Sequence, residues 1–314
     1  MAMTVRLIDW RDLPALSRYR RQCLFLDSTR LLTQGPRLVS AETLFSYLAT
    51  ATGIFTYLST IDDDPDQKLI GQVTINNGAS CARLSYLAPD SALESAAMPA
   101  LLDHLTAEMG AIGAYNLLAE VDEKLDAFEA LRKAGFAIYA RQRIWQLNGG
   151  PKGEVCNTPW KSGVSRDALA VRNLFCNLVP GLVQQVEPPP ARRVPGQVYR
   201  QDGEIFGYVE LHYGPRGIWA QPFIHPDADQ ISARLACLFL NLPFRNGRPV
   251  YFCVRSYQSW LELALEDLGA QPGPQQAVMV KRLTVLQKAV KPYALPVLEG
   301  GQPEISAPFT QAKN

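Results

Sequence analysis

One order of periodicities, helix–helix–hairpin–strand–helix–strand–helix–strand, runs along this chain twice, with a Gly/Pro cluster, Asn148-Gly-Gly-Pro-Lys-Gly153, between the two passes. A repeat this long marks a duplicated domain, since solenoid modules recur every 20 to 50 residues or so. Glycine and proline punctuate loops, and 314 residues accommodate two domains of about 150 each. The expected division is 1–147, a linker over 148–159, a second copy over 160–287, and an extended tail over 288–314, where Pro and Gly are frequent and no period is seen. Hairpins followed by strand–helix alternation imply an α/β (α+β) class. Each copy is then a mixed, mostly antiparallel sheet with helices on both faces.

In the first half, Thr4–Trp10 reads as a strand and Leu13–Leu26 as a helix, with Leu13, Leu16, Cys23 and Leu24 at helical spacing and arginines between. Ser40 to about Thr50 reads as a second helix. Gly53–Ser59 and Lys68–Asn76 form a hairpin about the turn Asp62–Asp66, and Ala82–Leu87 is a third strand. Ser91–Ile112 is a long helix, Asn116–Val121 a strand, and Asp122 caps a helix that reaches Lys133 and stops at Gly135. Phe136–Leu147 closes the half as a strand or a bent pair.

The second half gives helices over Ser165–Asn177 and Pro180–Val186, with Ser165 as cap. A hairpin of Gln197–Arg200 and Glu204–His212 turns about Gln201-Asp202-Gly203. A strand over Gly217–Ile224, a helix from Pro226-Asp227 to Leu240, a strand over Arg248–Val254, a helix over Tyr257–Leu268 and a strand over Gln276–Leu286 follow.

Charge is balanced, with 31 basic and 30 acidic residues, so nothing points to nucleic acid or an anionic membrane. No apolar run reaches the about 18 residues of a membrane span, and the first ten residues lack the apolar core of a signal peptide; the expected location is the cytoplasm. Six cysteines without a CxxC pair read as reduced, small apolar side chains. Three histidines show no metal-ligand spacing, so no metal is expected.

Two stretches carry a family likeness: Arg83-Leu-Ser-Tyr-Leu-Ala-Pro-Asp90 with the helix through Leu101-Leu102, and Val121–Phe136, whose helix ends in Ala-Gly-Phe. Their counterparts are Trp219–Pro226 with its helix, and Ser256–Gly269. In this order they resemble the GNAT (Gcn5-related N-acetyltransferase) fold, twice, head to tail. The resemblance implies acetyl-CoA or another acyl-CoA as co-substrate and a small-molecule or peptide amine as acceptor. It implies direct attack of the amine on the thioester, with at most one competent site. The family binds the diphosphate of acyl-CoA on backbone N–H groups at the start of the central helix, where a Q/R-x-x-G-x-G/A motif lets the chain come close.

Transferred to this chain, that site would involve Leu87, Ala96 and Ala97 in the first copy, with Leu93, Ala96 and Met98 at the motif positions. In the second copy it would involve Phe223, Ile224, Gln230, Ser232, Ala233 and Arg234, with Gln230, Ala233 and Leu235 at the motif positions. Glu94, Asp227 and Asp229 place negative charge beside it. The family's acidic tyrosine falls on Leu131 and Leu265, neither able to transfer a proton, and its helix-start asparagine on Lys124 and Gln258. Tyr257 is the candidate replacement acid. Glu210, which shares a strand face with His212, is the candidate base. The alternative is a catalytically silent GNAT-like ligand-binding or protein-interaction scaffold, with a protein partner or a second copy of the chain on an aromatic surface of Trp219, Tyr251, Phe252, Tyr257 and Trp260.

Overall fold

The computed structural model describes residues 3–36, 52–61, 64–76, 79–95, 97–149, 160–190 and 194–283. The expected helix over Ser40–Thr50, most of the linker, the tail and Ala96 lie outside them.

The strands are β1 (Met3–Leu7), β2 (Leu24–Phe25), β3 (Ile54–Ile61), β4 (Asp64–Ile75), β5 (Cys81–Ala88), β6 (Asn116–Asp122) and β7 (Ala137–Leu147) in the first half. In the second they are β8 (Trp160–Ser162), β9 (Gly196–Gln201), β10 (Glu204–Tyr213), β11 (Ile218–Ile224), β12 (Val250–Arg255) and β13 (Gln271–Arg282). The helices are α1 (Leu13–Arg18), α2 (Ser28–Gln34), α3 (Ala97–Ile112), α4 (Asp126–Lys133), α5 (Ala168–Leu178), α6 (Gly181–Gln184), α7 (Ile231–Leu240) and α8 (Trp260–Asp267).

All strands join one sheet, ordered β1-β3-β4-β5-β6-β13-β7-β12-β11-β10-β9-β8, with β2 beside β5. The two halves are exchanged at its centre. The last strand of the second half, β13, pairs antiparallel with β6, setting Ala277 against Val121. The last strand of the first half, β7, pairs antiparallel with β12, setting Ile144 against Cys253. The two exchanged strands also pair with each other. Each half therefore supplies core side chains to the other: Ala277 and Met279 lie in the core beneath α3 and α4, and Trp145 and Leu147 in that beneath α7 and α8.

The helices end as glycine chemistry requires. Gly135 after α4 and Gly269 after α8 take φ of 87° and 76°, the left-handed region that Cβ disfavours. Several boundaries differ from expectation. The Leu13–Leu26 helix stops at Arg18, a 3₁₀ turn follows, and Leu24–Phe25 is a strand. Asp122 ends β6 and its carboxylate accepts from Lys124 N, so α4 starts later, with Leu125 at its cap position. Asp167, not Ser165, accepts at the start of the α5 segment, from Val164 N. Cys23, Cys81, Cys176 and Cys253 are free thiols. Cys237, expected to be reduced, is disulfide-bonded.

Candidate functional site

Among the described residues each half contains one parallel strand pair, and each pair separates partway along. β5 and β6 are in register at Cys81–Asn116, Ala82–Leu117 and Arg83–Leu118, then diverge. β11 and β12 are in register at Ile218–Val250, Trp219–Tyr251 and Ala220–Phe252, then diverge. Diverging parallel strands leave a wedge whose walls carry unpaired main-chain groups. A buried wedge must fill, because an orphaned amide or carbonyl costs about 1–3 kcal/mol.

The two wedges are filled differently. In the first half the chain's own backbone enters. Leu24 pairs with Leu87 and Phe25 with Tyr86, Leu26 N donates to Ser85 O at 2.9 Å, and Glu120 N donates to Leu26 O at 2.8 Å. Leu26 thus bridges both walls, and its side chain is 1% exposed in the core. Past the wedge, Asp27 caps α2 by accepting from Arg30 N, and Ser28 N donates to the Glu120 carboxylate, which also pairs with Arg83 at 3.1 Å. The arm then reaches the second half, where Arg216 N donates to Thr33 O.

In the second half a side chain does this work. Gln258, 1% exposed, donates from Nε2 to Pro222 O at 2.9 Å and accepts at Oε1 from Ile224 N at 3.1 Å. Pro222 and Ile224 stand four and two residues before Pro226, as Ser85 and Leu87 stand before Pro89. Equivalent wall positions are therefore satisfied by a peptide in one half and by one primary amide in the other. Among the described residues, no third main-chain segment hydrogen-bonds within the second wedge.

The mouth of the second wedge is the turn from His225 to Gln230. Asp227 N donates to His225 Nδ1 at 3.2 Å and Asp229 N to Gln201 Oε1 at 3.2 Å. Ala228 N donates to His225 O at 3.0 Å. Gln230, in the left-handed region at φ 52°, precedes α7 without a side-chain cap bond. In the first half Asp90 N donates to Gln22 O.

Beside Gln258 lies a buried charged group. Arg255, 2% exposed, pairs with Glu187 at 2.7 Å, and Tyr139 donates its hydroxyl to the same Glu187 oxygen at 2.5 Å. Burial alone would raise the Glu187 pKa, but Arg255, Arg83 and the Tyr139 and Arg255 hydrogen bonds outweigh it and hold the carboxyl below its ordinary value. Burial pushes the Tyr257 phenol above its ordinary value, Arg255 opposing. Among the described residues, the Tyr257 hydroxyl and the Nε and Nη1 of Arg255 are buried without a protein partner. Cys253, its thiol pushed up to about 12 by burial, donates to Gln142.

The residues singled out in the sequence separate into groups. Ile224 forms a wall of the second wedge, while Phe223 points to the other face and packs on Phe175 and Tyr208. Ser232 donates to Asp267, tying α7 to α8. Ala233 is exposed. Arg234 stacks over the Tyr199 ring at 5.1 Å. Leu87 and Ala97 are buried in the first core, and the Leu87 edge is taken by Leu24. Glu210 sits opposite Gln221, one strand from the wedge, and bonds His212 at 3.1 Å. Tyr257 faces Arg255 and Glu187, and no contact among the described residues joins it to Glu210. The expected aromatic surface does not form as such: Trp219 is 3% and Phe252 0% exposed, because both are inward positions of central strands.

Glu187, Arg255, Tyr139 and Pro222 were not singled out in the sequence. Proline inside an apolar strand was the available signal for Pro222, since proline has no N–H to give a ladder. A buried Arg–Glu pair 68 residues apart leaves no pattern.

No protein-family model matches the chain, and no curated protein matches it. Among solved structures, a GCN5-related N-acetyltransferase from Sphaerobacter thermophilus aligns over 90% of this chain and 98% of its own, with TM-score 0.55 and 14% identity. A tandem GNAT protein from the clavulanic acid biosynthesis pathway aligns over 90% and 98%, with TM-score 0.49 and 13% identity. A putative acetyltransferase from Pyrococcus horikoshii aligns over 90% and 90%, with TM-score 0.48 and 12% identity. At such identities the likeness speaks for architecture: the chain has the GNAT fold over most of its length.

Proposed function

With the GNAT fold as premise, we propose that this chain is an N-acyltransferase using an acyl-CoA-type thioester, and that only its second half keeps a donor slot. The carrying observation is the difference between the wedges. Leu24–Leu26 fills the first with covalently continuous backbone. Gln258 fills the second with an amide on rotatable bonds. The pantetheine arm of such a donor also carries amides, so Pro222 O and Ile224 N are complementary to the arm as they are to Gln258.

The residues present suit part of the donor. Pro222 and Ile224 would hold the arm, while Leu87, Ala96 and Ala97 have no part in this reading. The thioester supplies the activated acyl group. The amine's nitrogen bonds to the acyl carbon as the carbon–sulfur bond breaks; Tyr257, whose hydroxyl has no protein partner among the described residues, would give its proton to the departing thiolate and regain one through solvent, where the proton shed by the new amide nitrogen goes. Glu187 is held ionised by Arg255 and Tyr139, which makes it a weak base and a neutraliser of Arg255. Glu210, a strand away, is not assigned the base role here. In this reading the halves divide at 1–147 and 160–287, joined by 148–159, with a tail over 288–314.

The test is thiol release from acetyl-CoA by the full-length protein across a panel of small amines and basic peptides. Release that depends on an amine and falls in Tyr257→Phe supports the reading. A second reading, a silent scaffold, is favoured by the engaged amides of Asp227, Ala228 and Asp229. It gains if no amine supports release and a stoichiometric partner is purified with the chain.

A further inference from the structure

The walls of the second wedge suit an amide, but its mouth is hostile to a diphosphate. We propose that the donor is recognised through its pantetheine arm alone, so that an acyl-pantetheine thioester without the adenine nucleotide serves as well as acyl-CoA. The inference rests on the second wedge being the donor slot.

Anions bind at a helix start when free N–H groups converge there and small residues admit the ligand. Here the three amides of the turn before α7 donate within the protein, Asp227 to His225 Nδ1, Ala228 to His225 O and Asp229 to Gln201, which leaves only the first-turn N–H groups of α7 itself, at Ile231, Ser232 and Ala233, to meet an anion. Rebuilding the turn would cost these bonds. The charge has the wrong sign as well. Asp227, with its side chain 82% exposed, and Asp229 stand at the mouth, and like charges at short range repel even in water. His225 Nδ1, 3.6 Å from the Asp227 carboxylate, already accepts from Asp227 N, and among the described residues no ion pair engages Asp229.

The one cation in the first turn of α7 is turned away. Arg234 lies over the Tyr199 ring, and its carbonyl accepts from Trp160 Nε1 at 2.8 Å. The arm itself meets no opposing charge: it would exchange with the Gln258 amide, one hydrogen bond for another, at each wall. Pro222 O and Ile224 N offer one acceptor and one donor two residues apart, and pantetheine is uncharged. Selection therefore falls on the amides of the donor, and the nucleotide contributes no favourable contact.

The test is calorimetric titration of the full chain with pantetheine, phosphopantetheine and CoA, on the wild type and on the double variant Asp227→Asn/Asp229→Asn. The expected result is a CoA affinity within about threefold of that for pantetheine in the wild type. In the variant CoA gains about threefold, to parity with pantetheine, and pantetheine is unchanged, since only CoA carries charge to the mouth. CoA binding more than about tenfold tighter than pantetheine in the wild type overturns the inference and leaves the donor slot standing. No heat with any of the three overturns the donor slot, and the inference with it.

Discussion

Replacing Gln258 with leucine tests the second wedge at its occupant. Leucine keeps most of the side-chain volume, so little cavity forms, but it neither donates to Pro222 O nor accepts from Ile224 N. Gln258 is 1% exposed, so water does not readily take over. Two buried main-chain groups left unpaired cost about 1–3 kcal/mol each, giving a loss of about 2–6 kcal/mol in urea unfolding. The same change frees the amide-binding edge. Pantetheine is therefore expected to bind the variant more tightly than the wild type and to restore stability, by about 2.7 kcal/mol at a hundredfold excess over its Kd. A loss below about 1 kcal/mol would mean that the wedge is solvated and the Gln258 bonds are incidental. A full loss without tighter pantetheine binding would mean that Gln258 is a structural rivet and the slot does not exist.

Leu26→Ala empties a core position of the first wedge, 1% exposed, and is expected to cost about 2–5 kcal/mol while donor stoichiometry stays at one per chain; a second binding event would show that the first wedge also takes the donor. Glu187→Gln strips Arg255 of its carboxylate and is expected to cost about 3–5 kcal/mol at neutral pH in chemical unfolding. The folded pKa of Glu187 is depressed, so its stabilisation is complete above the unfolded value of about 4.3 and drains away as pH falls through the lowered folded value. The Gln variant should lose that part of the acid slope, and an unchanged slope counts against a charged Glu187. Tyr257→Phe removes a hydroxyl with no protein partner among the described residues; stability should hold or rise, while kcat falls about a hundredfold with KM little changed. Equal kcat would remove Tyr257 from the chemistry.

Much of the architecture was legible because period and punctuation survive folding. The hairpin about Asp202-Gly203, the stops at Gly135 and Gly269, and the paired order of elements all came from local physics. Strand exchange was not legible. β7 and β13 both read as closing strands, and alternation along a strand does not say which neighbour it takes. Leu24 and Phe25 were misread because Leu13, Leu16, Cys23 and Leu24 fit a helical period, while β5 offers the segment a tertiary partner that local pattern cannot reveal. At the candidate site, the family position taken by Gln258 was visible, but its seat between Pro222 and Ile224 depends on how far β11 and β12 diverge. The acidic mouth was visible as Asp227 and Asp229; that their amides are also engaged is a fact of the turn.

Hydrogen exchange measured by mass spectrometry, with and without saturating acetyl-CoA, tests the asymmetry of the two halves most directly. The account predicts new protection at Phe223–His225 and Val254–Gln258, and none at Leu24–Asp27, Ser85–Ala88 or Ala119–Val121. Protection at β5, β6 and the Leu24–Asp27 arm, with β11 and β12 unchanged, would place the donor in the first half and contradict it.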